Sequence, residues 1–361
     1  MRTRTRVYNQ PVRGLVFALT LLAGHIFQPE ARPAFSEWLE AVRQEALSRG
    51  IRQDIVDKAL AGIDEPVPVI LERDRAQAEA VLALESYLKR VLSKKRIRLG
   101  RERYTENREL LEQVGARYGV PPRIIAAIWG VESSFGRFSG IRPTIAALAT
   151  LAWDPRRSTF FRGELFDALE ILNRGDIDLE NMKGSWAGAM GQVQFMPSSY
   201  LKFAEDFDGD GRKDIWSTPG DVFASIANYL KGHGWKSGQT WGREVSMPAS
   251  TLRGIRANVP YREGSCHAVR EMTVAQPLKQ WQALGVRLPG GQPLPQLDLS
   301  ASLVSGAKRQ FLVYANYDAL LDYNCAHSYA VSVALLGDAI ASAPRETRAA
   351  SHAKSRGEQS P

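Results

Sequence analysis

Ile128-Trp129-Gly130-Val131-Glu132-Ser133-Ser134-Phe135-Gly136 sets one acidic residue at the end of an apolar run, just before a glycine break. The run starts at Gly119-Val120-Pro121-Pro122, and proline is well tolerated in the first turn of a helix. Ile124, Ile125, Ile128 and Trp129 then recur at helical spacing and mark a buried face. Glu132 therefore falls at the C-terminal end of a predicted helix, where an acid opposes the helix dipole. A local cost without an evident structural return points to function. A carboxylate held against apolar neighbours has its pKa raised toward the range of a general acid. Such a group can protonate a leaving oxygen, as in glycosidic cleavage. An arbitrary glutamate at a helix end more often caps or pairs, so Glu132 alone does not establish a site.

Four other segments carry candidate chemistry. Gly184-Ser-Trp-Ala-Gly-Ala-Met-Gly-Gln-Val-Gln-Phe-Met-Pro-Ser-Ser-Tyr200 is rich in small residues that let backbone approach a ligand. Within it Gln192 and Gln194 could hydrogen-bond sugar hydroxyl or acetamido groups, and Pro197 starts a further helix. Asp206-Phe-Asp-Gly-Asp-Gly-Arg-Lys-Asp214 matches the start of an EF-hand calcium loop, with aspartates at loop positions one, three, five and nine. The closing glutamate is missing, since Ser217 stands there, and Asp221 lies further on as the expected N-cap of a helix through Val222, Ile226 and Tyr229. Arg156 and Arg157 are adjacent, and paired guanidinium groups can hold carboxylates. Tyr229 and the pair Tyr323-Asn324 offer rings for stacking on sugars and an amide for an acetamido group, although either tyrosine alone fits core packing equally well.

The chain has 361 residues and 44% hydrophobic content, enough to bury a substantial core. Its formal charge is +8, of which residues 1–33 carry +4 through five arginines and one glutamate. The remainder is mildly basic, which suits an anionic polymer without diagnosing nucleic acid. Arg2, Arg4, Arg6 and Arg13 precede the apolar run Leu15–Ala23, a pattern that reads as an export signal, cleaved or retained as an anchor. No cysteine lies near it, which excludes the usual lipid anchor. Cys266 and Cys325 could pair, stay as thiols, or bind metal with His267 and His327, although the spacing matches no common zinc pattern.

The resulting fold class is α+β, mostly α. Residues 1–33 form the signal or anchor and 34–110 a helical region. Residues 111–235 hold the candidate site, and 236–310, where Pro, Gly, Val and Thr rise, form a small β-containing region. Residues 311–341 return to helix and 342–361 are a polar tail expected to be disordered. Eight basic residues between Lys89 and Arg103 could contact nucleic acid, but a solvated helix face is the commoner meaning.

Taken in order, these segments resemble the lytic murein transglycosylases of the membrane-bound B type. The resemblance rests on Ile128–Gly136, Pro155-Arg-Arg157, Gly184–Gly191 with Gln194–Tyr200, the Asp-rich loop, Ala227-Asn-Tyr229 and Tyr323-Asn324. It implies a lysozyme-like core with an added N-terminal helical region and a small β-containing region. It implies cleavage of the β-1,4 bond between N-acetylmuramic acid and N-acetylglucosamine in peptidoglycan, leaving 1,6-anhydromuramoyl ends. By position, Glu132 would act as acid and then base, and Ser185 would orient it. Gln194, Tyr229, Tyr323 and Asn324 would line the saccharide cleft, and Arg156 and Arg157 would hold a substrate carboxylate. Asp206, Asp208, Asp210, Asp221 and the Arg212 carbonyl would bind a structural calcium, with no cofactor for catalysis. The implied partners are glycan strands and no nucleic acid. The implied setting is a periplasmic monomer with peripheral or anchored membrane association. A hydrolytic muramidase would instead need a second carboxylate, with Asp154 and Glu164 as candidates, and a non-catalytic wall-binding protein would tolerate loss of Glu132.

Overall fold

Helix α7 (Pro122–Ser133) is apolar on every side, with Ile124 through Gly130 all buried, so it has to lie inside the molecule. It is the seventh of a run of helices in a computed structural model that describes residues 33–77 and 84–342. The preceding helices are α1 (Phe35–Ser48), α2 (Gln53–Leu60), α3 (Pro68–Gln77), α4 (Leu84–Val91), α5 (Lys94–Glu106) and α6 (Arg108–Tyr118). Gly119 ends α6 with a left-handed cap, and Pro121-Pro122 restarts the chain as α7. The expected export signal and most of the polar tail lie outside the described residues.

After α7 the chain makes a two-residue strand β1 (Arg142–Pro143) and helices α8 (Thr144–Trp153) and α9 (Ser158–Arg174). Strand β2 (Lys183–Gly184) pairs antiparallel with β1, a contact that nothing in the sequence pattern announces. Helices α10 (Pro197–Phe203) and α11 (Pro219–Gly232) follow. α11 is capped by Thr218 with Pro219 at its first position, so Asp221 is inside the first turn and is not the N-cap expected of it.

A second, smaller hydrophobic cluster forms beyond this point around Val245, Ile255, Leu278, Trp281, Leu303 and Leu312. It sits under a four-stranded antiparallel sheet of order β3-β6-β5-β4. The strands are β3 (Gly242–Val245), β4 (Gln276–Pro277), β5 (Ser300–Ser305) and β6 (Gln310–Val313). Short helices α12 (Ala249–Asn258), α13 (His267–Arg270) and α14 (Leu278–Ala283) lie between them. The chain then returns as α15 (Asn316–Tyr323) and α16 (His327–Ala341), and α16 packs along α7, α4 and α5. The expectation of continuous helix from Phe311 is thus corrected: Phe311-Leu312-Val313 is the inner part of β6. A short apolar run has no periodicity to separate strand from buried helix.

The basic cluster is partly structural. Arg101 donates to the Ala339 carbonyl at 3.1 and 2.9 Å, and Arg96 reaches the Gly130 carbonyl at 3.5 Å. Both guanidinium groups steady the ends of neighbouring helices, which weakens the case for a nucleic-acid face.

Candidate active site

Glu132 occupies the last turn of α7, and the backbone turns sharply behind it. Ser134 and Phe135 take left-handed conformations (φ 54° and 60°), followed by Gly136 at φ 79°. Non-glycine residues pay about 1 kcal/mol or more each for this geometry, so the surroundings must impose it. Ser133 supplies part of the restraint: its hydroxyl donates to the Trp129 carbonyl at 2.9 Å and accepts the Gly136 amide at 3.0 Å. Phe135 supplies the rest. Its ring is buried edge-on against Trp129, and a Cβ built on Gly130 would stand 2.4 Å from it. Gly130 is therefore the notch that admits Phe135 beneath the helix end. Gln194, with φ 53°, is the remaining non-glycine left-handed residue among those described, and it too belongs to the candidate cleft.

The Glu132 carboxyl keeps a partly open face but is otherwise enclosed by protein. Burial pushes it up to about 7, with Tyr329 opposing through its hydroxyl. That hydroxyl makes no well-formed hydrogen bond in the structure, so its contact with Glu132 is a loose one. Tyr87 on α4, Tyr323 at the end of α15 and Tyr329 in the first turn of α16 all feel the Glu132 charge. Burial is the main reason their own phenols are raised. Among the described residues, no carboxylate is among the groups that shift Glu132. Glu164 is buried elsewhere, accepting the Ser198 amide and hydroxyl at 2.9 and 2.7 Å, and Asp154 is gripped by Arg156.

The loop from Gly184 to Met196 is tied to the helix that carries Glu132 through Trp129. Trp129 donates its indole N–H to Gln192 at 2.7 Å, and Gln192 donates to the Trp216 carbonyl at 2.7 Å. Gln192 is therefore a strut rather than a ligand. Gln194 uses its amide nitrogen on the Gly191 carbonyl at 2.9 Å. Ser185 accepts the Ala189 amide at 3.1 Å and the Ala187 amide at 3.3 Å, and no direct bond from it to Glu132 is present. With two amides on its oxygen, its hydroxyl hydrogen is left to donate outward.

The two candidate tyrosines differ. Tyr323 is partly exposed and donates to the Val193 carbonyl at 2.7 Å. Tyr229 is buried: it donates to the Asp322 carbonyl at 2.7 Å and packs on Tyr323 with ring centroids 4.7 Å apart. Its ring thus braces Tyr323. Asn324 is exposed beside Tyr323. Tyr87 and Tyr329 were missed because each looks like an ordinary core aromatic in a helical repeat.

Arg156 and Arg157 are held by carboxylates of the chain itself. Asp74, buried on α3, receives both, and Asp154 takes Arg156 through two donors at 3.0 and 3.1 Å. Both side chains remain substantially exposed, so these pairs orient guanidinium groups that still face solvent.

In the Asp-rich loop, ligand oxygens of Asp206, Asp208 and Asp210 lie within 4.8 Å of one another. Asp221 does not join them. Its two oxygens accept the Phe207 and Asp214 amides, each at 2.8 Å, and burial lifts it to about 6 with the Asp208 and Asp206 charges adding. It braces the loop from inside through those two amides. Arg212 gives its amide to Asp210 at 2.8 Å. The three clustered carboxylates fit a hard divalent cation, which would relieve their mutual repulsion.

Residues 34–338 match the family described as the Transglycosylase SLT domain. The chain belongs to that family. It is 33% identical over 299 residues to membrane-bound lytic murein transglycosylase B of Escherichia coli (strain K12), covering 82% of this chain and 77% of that protein. Among solved structures it resembles SltB3 of Pseudomonas aeruginosa in complex with NAG-NAM-pentapeptide, with TM-score 0.77 and 41% identity over 85% of this chain and 79% of that one. It also resembles Escherichia coli Slt35 in complex with calcium, with TM-score 0.69 and 30% identity over 84% and 92%. The SLT chain described here is accordingly a peptidoglycan lytic transglycosylase with the mostly helical, lysozyme-like fold of its relatives. Among its described residues no helix is long and apolar enough to cross a membrane.

Proposed function

We propose that this enzyme cleaves the bond between N-acetylmuramic acid and N-acetylglucosamine with Glu132 as both acid and base, producing 1,6-anhydromuramoyl ends. The observation that carries the reading is the setting of Glu132: a raised carboxyl, ringed by tyrosines, with no carboxylate acting on it. Protonated Glu132 gives its proton to the bridging oxygen as the bond to C1 breaks, and the electron pair leaves with the N-acetylglucosamine oxygen. The acetamido oxygen of the muramoyl residue stabilises the cationic C1 where a second enzyme carboxylate would otherwise stand. Glu132, now ionised, takes the proton of the C6 hydroxyl, and O6 closes on C1. No water is consumed.

Gln194, Tyr323 and Asn324 hold the sugars in this reading, Ser185 donates toward Glu132 or the acetamido group, and Arg156 and Arg157 take a carboxylate of the stem peptide. The SltB3 structure with a NAG-anhNAM-pentapeptide supports the product class. The enzyme works as a monomer on glycan strands in the cell envelope, without nucleic acid. Digested peptidoglycan should yield new ends one water lighter than reducing muramic acid and inert to borohydride. Borohydride-reducible ends would sink the reading.

Two further results are expected. The first step needs the proton on Glu132, so kcat/KM should fall about tenfold per pH unit above a limb near 7. A limb near the ordinary glutamate value of 4.5 would contradict the buried acid. Calcium, held by Asp206, Asp208, Asp210 and the Arg212 carbonyl, should raise the melting temperature without changing kcat. At a hundredfold excess over Kd the gain is about 2.7 kcal/mol. Asp208→Asn should abolish that gain, and equal melting curves with calcium and with EDTA would rule the site out.

A further inference from the structure

Cys266, immediately before α13, and Cys325, in the turn between α15 and α16, form a disulfide that closes a separation of 59 residues. Cys325 is two residues from Tyr323 and four from Tyr329, so the bond is placed on the segment that carries two of the phenols that feel the Glu132 charge. The turn is extended backbone, with φ −151° at Asn324 and −150° at Ala326. Its backbone hydrogen bonds, Asn324 to the Leu320 carbonyl at 3.2 Å and Ala326 to the Asn324 carbonyl at 2.7 Å, are local. Local bonds fix the shape of a turn but not its position against the rest of the molecule. Tyr323 gives its hydroxyl to the Val193 carbonyl and the Asp322 carbonyl accepts the Tyr229 hydroxyl, each at 2.7 Å. The Arg262–Asp318 pair at 2.8 and 3.1 Å holds α15, and Cys266 adds a covalent tie from the α12–α13 segment to the turn that follows. Both cysteines are half-buried.

We propose that the Cys266–Cys325 disulfide is a positioning element of the active site, holding the α15–α16 turn so that Tyr323, Asn324 and Tyr329 keep their places around the cleft. The reduced protein is then a folded but poor enzyme. Reduction passes two electrons and two protons from a dithiol to the cysteine pair, and the dithiol becomes a disulfide. The inference rests on the reading of Glu132 as the acid.

The test compares oxidised wild type, dithiothreitol-reduced wild type and Cys266→Ser/Cys325→Ser, with kcat and KM measured on soluble glycan fragments well below the melting temperature. KM should rise, because Tyr323 and Asn324 meet sugar, and kcat should fall, because Tyr329 meets Glu132. Together these should lower kcat/KM about tenfold or more, since displacements near 1 Å can cost on the order of 100-fold. Far-UV circular dichroism should be unchanged, hydrogen exchange at 323–329 should quicken, and reoxidation should restore wild type only. A lower melting temperature with unchanged kcat, KM and exchange would overturn the proposal, leaving the bond a stabiliser. Should the double variant not fold, exchange and kinetics of reduced against oxidised wild type decide it. If oxidised wild type yields no anhydro ends, the reading of Glu132 fails instead.

Discussion

Glu132→Gln is expected to lose activity by at least 10²–10⁴-fold, roughly the range attributed to one general acid or base, and toward the upper end because one group serves both steps. The same variant should be more stable at pH 8. A buried carboxyl raised from 4.5 to about 7 keeps its proton in the folded state at pH values where the unfolded chain has lost it. Its stabilising influence is complete below 4.5 and disappears as pH rises through 7. Above that range the folded protein carries an ill-solvated anion, and glutamine removes it. Allowing for the open face of the side chain, the gain at pH 8 is about 1–2 kcal/mol, fading to nothing near pH 4. Urea denaturation of both proteins at the two pH values checks it. Equal stability at pH 8 would mean that Glu132 is already well solvated and its acid role unsupported.

Phe135→Ala should have the largest effect on stability, about 3–5 kcal/mol, as for other buried aromatic truncations. The ring is 3% exposed and fills notches in two helices: a Cβ on Gly130 would lie 2.4 Å from it, and one on Gly100 would lie 2.8 Å. It also holds the left-handed turn behind Glu132, so turnover should fall on the order of 100-fold even where the variant is folded. Phe138→Ala, three residues on and 67% exposed, is the control and should change little. Denaturation and kcat measured on both variants test this. A destabilised Phe135→Ala enzyme with full turnover would separate the packing of the turn from the placement of the acid.

Helix α7 could be read from Pro122 and the spacing of its isoleucines because the information is local and the pattern is strong. The Asp-rich loop was legible for the same reason: its amides bind its own aspartates. What escaped depends on chain segments that meet only in the fold. Tyr329 reaches Glu132 from almost 200 residues downstream, and Tyr87 arrives from α4. Asp74, which orients Arg156 and Arg157, sits in a helix with no pattern to set it apart. Asp221 looked like a cap and a metal ligand because its spacing allowed both, whereas its burial and the two amides that bind it are tertiary facts. Cys266 and Cys325 could not be assigned from spacing, since separation along the chain says little about distance in space.

The most direct measurement is digestion of purified peptidoglycan in oxygen-18-labelled water, with mass analysis of the new muramoyl ends. Glu132 acting as acid and then base for the C6 hydroxyl predicts anhydro ends that carry no label, and no such ends with Glu132→Gln. Label at each new muramoyl end would show that water attacks C1, making the protein a hydrolase and contradicting the account.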